Sequence, residues 1–464
     1  MPPQRRIFGV LFAALLGGIL LYLSLASSQL PRNRFLEQRL LEANPLEDDS
    51  LIVYRGYLDR RNKSRTLARI LVFGRCPSVR FRLYVGSMQA EVVPIEGQCP
   101  WKWAPRCEWN SFLLTADISH SPSHKEVEAT PFPPLRPLLV LLSLSGRSLR
   151  IPLLPYPEER SSGLSVCVPP LYWFSNWPAL VHFVELWRLQ GASHFFVYVH
   201  SISRVTREVL RFYEHQNVVT VVTWNELPSR KGLDPNLSLY RLGHSLAHND
   251  CVFRSPSRFV ALVDVDEFVV PLSNATLLEF LSEMVSERPL AGSFVFGHSK
   301  LRFLGPNGDS DDFSWIQKTV HEEGNGPSKA IFLPDRTEIL LTHQVRSHFS
   351  PFSAVHVPSE AALLFHARSN WAQHDAPGNF SRIDLFAKEE VEAVDSAHTD
   401  VLRFLRRAGV ENPAPNRNVS FFVQVCLKGW KERGCKVPSV ACFDALHGAE
   451  EWSFARDSGD YAIL

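Results

Sequence analysis

The sequence predicts an α/β protein in which a domain with a mostly parallel central sheet, residues 156–380, follows a small β-rich domain, residues 51–155. Three observations point there. Short β-prone runs separated by Gly, Pro and Cys occupy the chain up to Pro155, strand-like and helix-like segments alternate after it, and one long apolar segment at the N-terminus stands apart from both. At 464 residues, 45% hydrophobic and 21% charged, the chain can bury a sizeable core and form more than one domain. Its 49 Lys and Arg are balanced by 48 Asp and Glu, which excludes a basic footprint for nucleic acid.

Residues 7–26 carry no charge and match the about 20 residues that a bilayer-crossing helix needs. Arg5 and Arg6 precede them, so the positive-inside tendency keeps residues 1–6 in the cytoplasm and places the rest in a lumen. A cleaved signal peptide is the alternative, but the apolar run exceeds the ~7–15 residues of a signal core. The expectation is a single-pass type II protein of the Golgi membrane with a polar stem over 27–50. All eight cysteines follow the apolar segment and none forms a CxxC pair, so disulfides are expected rather than zinc. Spacing assigns no connectivity; local bridges within Cys76/Cys99/Cys107 and within Cys426/Cys435/Cys442 are the simplest arrangement. N-x-S/T sequons at Asn62, Asn236, Asn274, Asn379 and Asn418 are candidate glycosylation sites.

The β-prone runs are 51–58, 70–73, 79–85, 90–95 and 138–144, with residues 121–137, rich in Pro and Ser, looping out. After them 164–168 reads as a strand. From Trp177, the spacing of Leu180, Phe183, Val184 and Trp187 predicts a helix closed by Gly191. Strand 195–199, helix 205–215, strand 218–224 and helix 237–254 follow, and strand 259–263 runs directly into Asp264-Val265-Asp266-Glu267-Phe268. Residues 381–464 hold three cysteines and read as a disulfide-tied C-terminal extension with no legible function.

In open α/β sheets ligands bind beyond the carboxyl ends of the strands, where Asp264 and Asp266 fall. On extended backbone two carboxylates separated by one residue point the same way, and together they can hold one hard divalent cation that in turn grips a diphosphate. Such a cation lets a nucleoside diphosphate depart, so the pattern points to a nucleotide-sugar enzyme. An acidic pair alone is more often a solvated turn; its place after an apolar strand and three strand-helix units is what raises it. Arg241, with His244 and His248 on one face of the 237–254 helix, has the fixed charge and fork of donors to meet a diphosphate or donor sugar, and a surface salt bridge is the bland alternative.

Several segments carry a resemblance: Val166-Cys167-Val168-Pro169-Pro170-Leu171-Tyr172-Trp173, Glu185-Leu186-Trp187 with Gly191-Ala192-Ser193-His194-Phe195, Asn249-Asp250-Cys251, and Asp264-Val265-Asp266-Glu267-Phe268 with Pro271. In this order, over about residues 164–368, the chain resembles glycosyltransferase family 92. The resemblance implies a GT-A fold, inversion, Mn2+ or another divalent cation as cofactor, and galactosyl transfer from UDP-galactose to glycoprotein glycans, commonly in β1,4 linkage. It puts the DxD aspartates on Asp264 and Asp266, with Asp266 the more direct metal ligand and Glu267 behind them. His366-Ala367-Arg368 stands where the family commonly has His-Tyr-Arg, so the Tyr is absent and His366 is the candidate third ligand. His343 is its rival.

The same resemblance places Tyr172 against the uracil and Lys329, in Ser328-Lys329, near phosphate in a closed state. Core packing and plain exposure are the respective alternatives. The sequence does not identify the general base: Glu322 and Glu323 lie in a Gly-flanked segment where GT-A inverting enzymes often carry it, Asp311 and Asp312 compete, and the Gly- and Pro-containing stretch 305–309 reads as a flexible loop that could close over donor. Expected partners are UDP-galactose, a glycan acceptor, the membrane through the anchor, and a second copy in a homodimer, with no nucleic acid. A lectin-like glycan-binding protein without turnover is the competing function; a glycosidase using two carboxylates needs no metal-phosphate site.

Overall fold

Alternation along the first strands sends neighbouring side chains into two different cores. The structure is a computed structural model that describes residues 45–464 apart from 62–63, 77–82, 86–87, 120–137, 143–145, 158, 304–318, 325, 368–380, 412, 414–415, 429–433 and 456–460. Strands β1 (Ile52–Asp59), β2 (Leu67–Arg75), β3 (Leu83–Val85), β4 (Met88–Pro94), β5 (Trp109–Asp117), β6 (Leu138–Leu142) and β7 (Ser148–Pro155) join in the order β2-β5-β4-β3-β6-β7-β1. Because β1 pairs with β2 as well as with β7, the sheet closes on itself. The C-terminal strand Ala462–Ile463 adds to β1. Val53, Ile70, Val72, Phe112 and Leu114 fill this sheet's own core, whereas Tyr54, Tyr57, Phe73 and Trp109 pack with Tyr198, Trp224 and Phe253 of the following region. That shared aromatic layer explains why residues Leu46–Leu464 make one compact unit instead of leaving 51–155 as a separate body.

The second sheet is built from β8 (Ser161–Leu171), β9 (Ala192–Val199), β10 (Val219–Thr223), β11 (Ser257–Leu262), β13 (Ala291–Phe296), β16 (Lys329–Phe332) and β17 (Ser353–His356), in the order β10-β9-β8-β11-β16-β13-β17. β10, β9, β8 and β11 are mutually parallel; β16 runs antiparallel to both β11 and β13, so the sheet is mixed. Helices α1 (Trp177–Leu189), α2 (Arg204–His215), α3 (His244–Arg254) and α4 (Leu277–Glu287) connect the strands. α1 starts where the sequence places it, with Asn176 accepting from the Ala179 amide at 3.3 Å, and stops before Gly191 at φ +89°.

A third sheet, β12 (Glu267–Pro271), β18 (Ala362–Ala367), β14 (His298–Phe303), β15 (Thr319–Glu323) and β19 (Ser381–Ile383), leaves β11 immediately after the acidic motif. One face buries Phe268, Val270, Leu301, Leu363 and Phe365 against Leu186 of α1 and Val391 and Val394 of α5 (Lys388–Arg407). The last long element is α6 (Arg417–Leu427).

Three sequence expectations change. The helix expected over 237–254 begins only at His244; Tyr240–Gly243 is a 3-10 turn with Arg241, Leu242 and Gly243 at φ 44°, 59° and 76°. Gly243 is required there, because a Cβ on it would lie 2.4 Å from Phe73. The cysteines form Cys76–Cys99 and Cys426–Cys442 within the expected groups, but Cys107–Cys435 ties the two groups together and Cys167–Cys251 ties β8 to α3. The expected single-pass type II Golgi localisation is corrected: among the described residues no helix is long and apolar enough to cross a membrane, and residues 7–26 lie outside the described residues.

Candidate active site

β11 is buried along its length and delivers the acidic motif to the carboxyl end of the parallel strands. The motif is a turn there, not extended chain. The Glu267 amide donates to the Asp264 carbonyl at 3.0 Å, and the Asp264 amide donates to Glu267 Oε2 at 2.8 Å. The indole of Trp187 donates to the Glu267 carbonyl at 3.1 Å and the Ala367 amide to the Asp266 carbonyl at 2.7 Å, so α1 and β18 hold the turn in place. The consequence is that the two aspartates face different partners.

Asp264 Oδ2 lies 3.2 Å from the Lys329 ammonium, whose other partner is Glu267 Oε2 at 3.0 Å. Lys329 and Glu267 are each 1% exposed, so the lysine is an internal counterion and not the exposed residue of the bland reading. Burial alone would lower the Lys329 pKa, but Asp264 and Glu267 outweigh it and carry it up to about 12. Burial would raise that of Asp264; Lys329, His244 and Arg241 instead hold it well below the usual carboxylate range. Burial lifts Glu267, Lys329 pulls it back, and Asp264 and Asp266 push it up again, so it ends above its ordinary value.

Asp266 turns the other way, its Oδ2 3.2 Å from His366 Nε2. His366 sits directly opposite Glu267 in the β12–β18 ladder, and its Nδ1 is 3.2 Å from His298 Nε2 and 3.8 Å from Glu267 Oε1. An oxygen and a nitrogen 3.2 Å apart match one edge of the shell around an ion with ligands at about 2.1 Å. The second ring nitrogen of His366 meets partners that fix its orientation, as metal-bound imidazoles require. Among the described residues no group of three or more His, Cys, Asp and Glu is placed to hold a metal. Asp266 and His366 would supply two ligands at most, so a cation at this pair would take the rest from water and phosphate oxygens, as Mg2+-like ions in nucleotide sites do.

A cavity of about 400 Å³ opens in front of this turn, lined by Tyr172, Arg241, His244, Asp264 and Asp266, with α6 closing one side. Arg241 presents a buried Nε with no hydrogen-bond partner among the described residues. Burial works against its charge, yet Tyr172, Tyr240, Asp264 and Glu267 more than offset this and raise its pKa. A cation held this way, with an unused donor beside a cavity, is matched to an anionic group. Because Arg241 precedes α3 in left-handed backbone, it does not share a helical face with His244 and His248. Those two rings meet at 4.4 Å, and His244 Nε2 and both nitrogens of His248 are buried without hydrogen-bond partners among the described residues. Burial, helped by Lys329, drives His248 down to about 3 and His343 down to about 4; both are neutral near pH 7. His343 thus belongs with Lys329 and Asp264, while His366 is the histidine against Asp266.

The sequence profile of glycosyltransferase family 92 matches residues 162–400. The chain belongs to glycosyltransferase family 92. Glycosyltransferase family 92 protein F13G3.3 of Caenorhabditis elegans is 27% identical over 246 residues, which are 51% of this chain and 46% of that protein. The match thus spans less than half of that relative's length. Among solved structures, mannosyltransferase PcManGT from Pyrobaculum calidifontis, in complex with GDP-Man and Mn2+, is 11% identical with a TM-score of 0.27, covering 64% of this chain and 90% of that one. S. aureus TarS 1–349 in complex with UDP has the same identity, 11%, and a TM-score of 0.27, covering 58% and 72%.

In this family 92 chain the Asn249-Asp250-Cys251 motif is structural. Asn249 pairs with both backbone groups of Leu340, and buried Asp250 accepts from Tyr57, from Tyr198 at 2.6 Å and from Arg254 at 2.5 Å. Glu322 and Glu323 do not line the cavity. Glu322 pairs with Lys300, which lies opposite His366, so it stands two strands, about 10 Å, from the histidine. Asp311, Asp312, Asn62 and Asn379 lie outside the described residues. Asn274 and Asn418 are exposed, whereas the Asn236 amide is committed to Leu227 and Asp234. Sequence reasoning missed His298 and the wall formed by α6. Neither carries a motif, and each reaches the site only through the fold.

Proposed function

We propose that this chain is a glycosyltransferase with a GT-A-type catalytic region, transferring a hexose, galactose from UDP-galactose, to glycoprotein glycans with inversion and a β1,4 linkage. The observation that carries the reading is Asp266, paired with His366, lining a cavity together with Arg241, whose buried Nε has no hydrogen-bond partner among the described residues. A bound divalent cation, Mn2+ in this reading, supplies Lewis-acid neutralisation of the departing diphosphate. Asp266 and His366 would hold it, with His298 and Glu267 orienting the imidazole. Arg241 takes a phosphate oxygen with its guanidinium fork. Tyr172, half-buried at the end of β8, offers its ring to the base. Lys329 keeps Asp264 and Glu267 compensated, so the turn holds its shape as charge enters and leaves. The acceptor hydroxyl gives its proton to a carboxylate on the face opposite the leaving group.

The test is thermal and catalytic. Mn2+ with UDP should raise the melting temperature and UDP-galactose should be consumed in the presence of glycan acceptors. Asp266→Ala should remove both effects while leaving the folded state intact. No stabilisation of the wild-type chain by Mn2+ and UDP, together with glycan binding, would favour a lectin-like protein instead.

A further inference from the structure

α6 lies beyond residue 400, outside the segment matched by the family profile, yet it forms one side of the cavity that contains Asp264 and Asp266. Successive helical residues are about 100° apart, which divides α6 into three arcs. Val419, Val423 and Leu427 pack on Trp173, the neighbour of Tyr172, and on Cys442 and Leu446. Ser420 and Gln424, one turn apart, face the cavity. Phe421 and Val425 follow on the next arc at 59% and 50% exposure, beside Phe422 at 41%. Two disulfides hold this part of the chain: Cys426–Cys442 from within α6, and Cys107–Cys435 to the N-terminal region. A helix with so much exposed apolar surface at a cavity rim is a binding surface by the ordinary logic of solvation.

We propose that α6 is the acceptor wall of the site and sets which neutral saccharide is used, an assignment that rests on the donor reading above. Beyond its first residue, Arg417, α6 contains no charged side chain, so the Ser420 and Gln424 stretch that lines the cavity has no counter-charge for a diphosphate, whose counter-charges are Arg241 and the cation that Asp266 and His366 would hold. Ser420 and Gln424 supply hydroxyl and amide groups that pair with sugar hydroxyls. Phe421 supplies an exposed aromatic face at the rim for the apolar side of the next pyranose ring. With Asp266, Arg241 and Tyr172 spoken for by donor, the described lining that is left is chiefly α6 and the Ser175–His182 stretch at the start of α1, and of these α6 is the one that adds an exposed aromatic residue, Phe421, from which an acceptor can be held against the anomeric carbon.

The experiment uses the full chain, UDP-galactose, Mn2+ and a panel of neutral glycans, with Gln424→Ala and Phe421→Ser as variants. Both side chains are exposed, so melting temperatures should match wild type. The expected result is an acceptor KM raised about tenfold, with a changed ranking of glycans, and an unaltered affinity for UDP measured by calorimetry. Unchanged acceptor KM and ranking in both variants, with normal UDP binding, overturns the assignment of α6 alone. Loss of UDP affinity in the variants moves α6 to the donor site and also overturns it. A wild-type chain that binds no UDP in the presence of Mn2+ overturns the donor reading itself.

Discussion

Replacing Lys329 by Met tests whether the turn at Asp264 depends on an internal counterion. The ammonium is 3.2 Å from Asp264 and 3.0 Å from Glu267, and it is almost fully buried. At an effective dielectric of about 20 each pair attracts by about 5 kcal/mol, much of it offset by the desolvation of three charges. Removing the lysine leaves two carboxylates facing each other with no cation between them. The expected net loss is about 3–5 kcal/mol, read as a lower urea midpoint at pH 7 with an unchanged denaturant slope. The double variant Lys329→Met with Glu267→Gln removes one of the stranded charges and should recover part of the loss. A loss below about 1 kcal/mol, or a double variant no more stable than the single one, would refute the counterion argument.

Arg241→Ala should weaken UDP binding about 10- to 100-fold, the worth of a charge-assisted hydrogen bond, and also lower the melting temperature of the ligand-free chain because Asp264 loses one of the cations that hold it ionised; calorimetry with UDP and Mn2+ checks the first and thermal unfolding the second. Adjacent strand residues point to opposite faces, and Glu322 shares its row with Lys300, His366 and Glu267 while Glu323 does not. If the general base is in this strand, Glu322→Gln should cut turnover by at least 10²-fold and Glu323→Gln should not; equal activity of both variants removes the pair from consideration. Asp59 is buried against Arg61 and Arg69. Burial would raise its pKa, but the two arginines bring it from 3.8 to about 2. A depressed folded pKa contributes stability that is complete above the unfolded value and is lost as pH falls from about 4 through 2. Asp59→Asn should therefore lose about 2 kcal/mol at pH 7 and show a flatter acid limb in urea titrations; an unchanged acid limb would count against it.

Much of the region around the candidate site was readable because it depends on local pattern. Leu180, Phe183, Val184 and Trp187 keep helical spacing, Asn176 and Gly191 cap that helix, and the apolar run ahead of Asp264 had to be a buried strand. His366 came instead from the family resemblance, at the first position of His366-Ala367-Arg368. The extended-chain picture of Asp264 and Asp266 failed because the third sheet departs at this point and forces a turn, which the Asp264 amide secures through Glu267 Oε2. The long helix through Arg241 failed because residues 240–243 are wedged between Phe73 and the Lys436 carbonyl, where a left-handed step fits and a helical one does not.

By itself the sequence determined the α/β class, the family, and the acidic pair at a strand end, since each follows from residues close in the chain. Tertiary structure decided which partners those residues meet. It assigned Lys329 to Asp264 across 65 positions and His366 to Asp266 across 100. It also joined Cys107 to Cys435 and brought α6 to the rim of the cavity. Charge compensation and cavity walls are properties of distances in space, and no local period or spacing encodes a distance between segments that meet only when the sheets close.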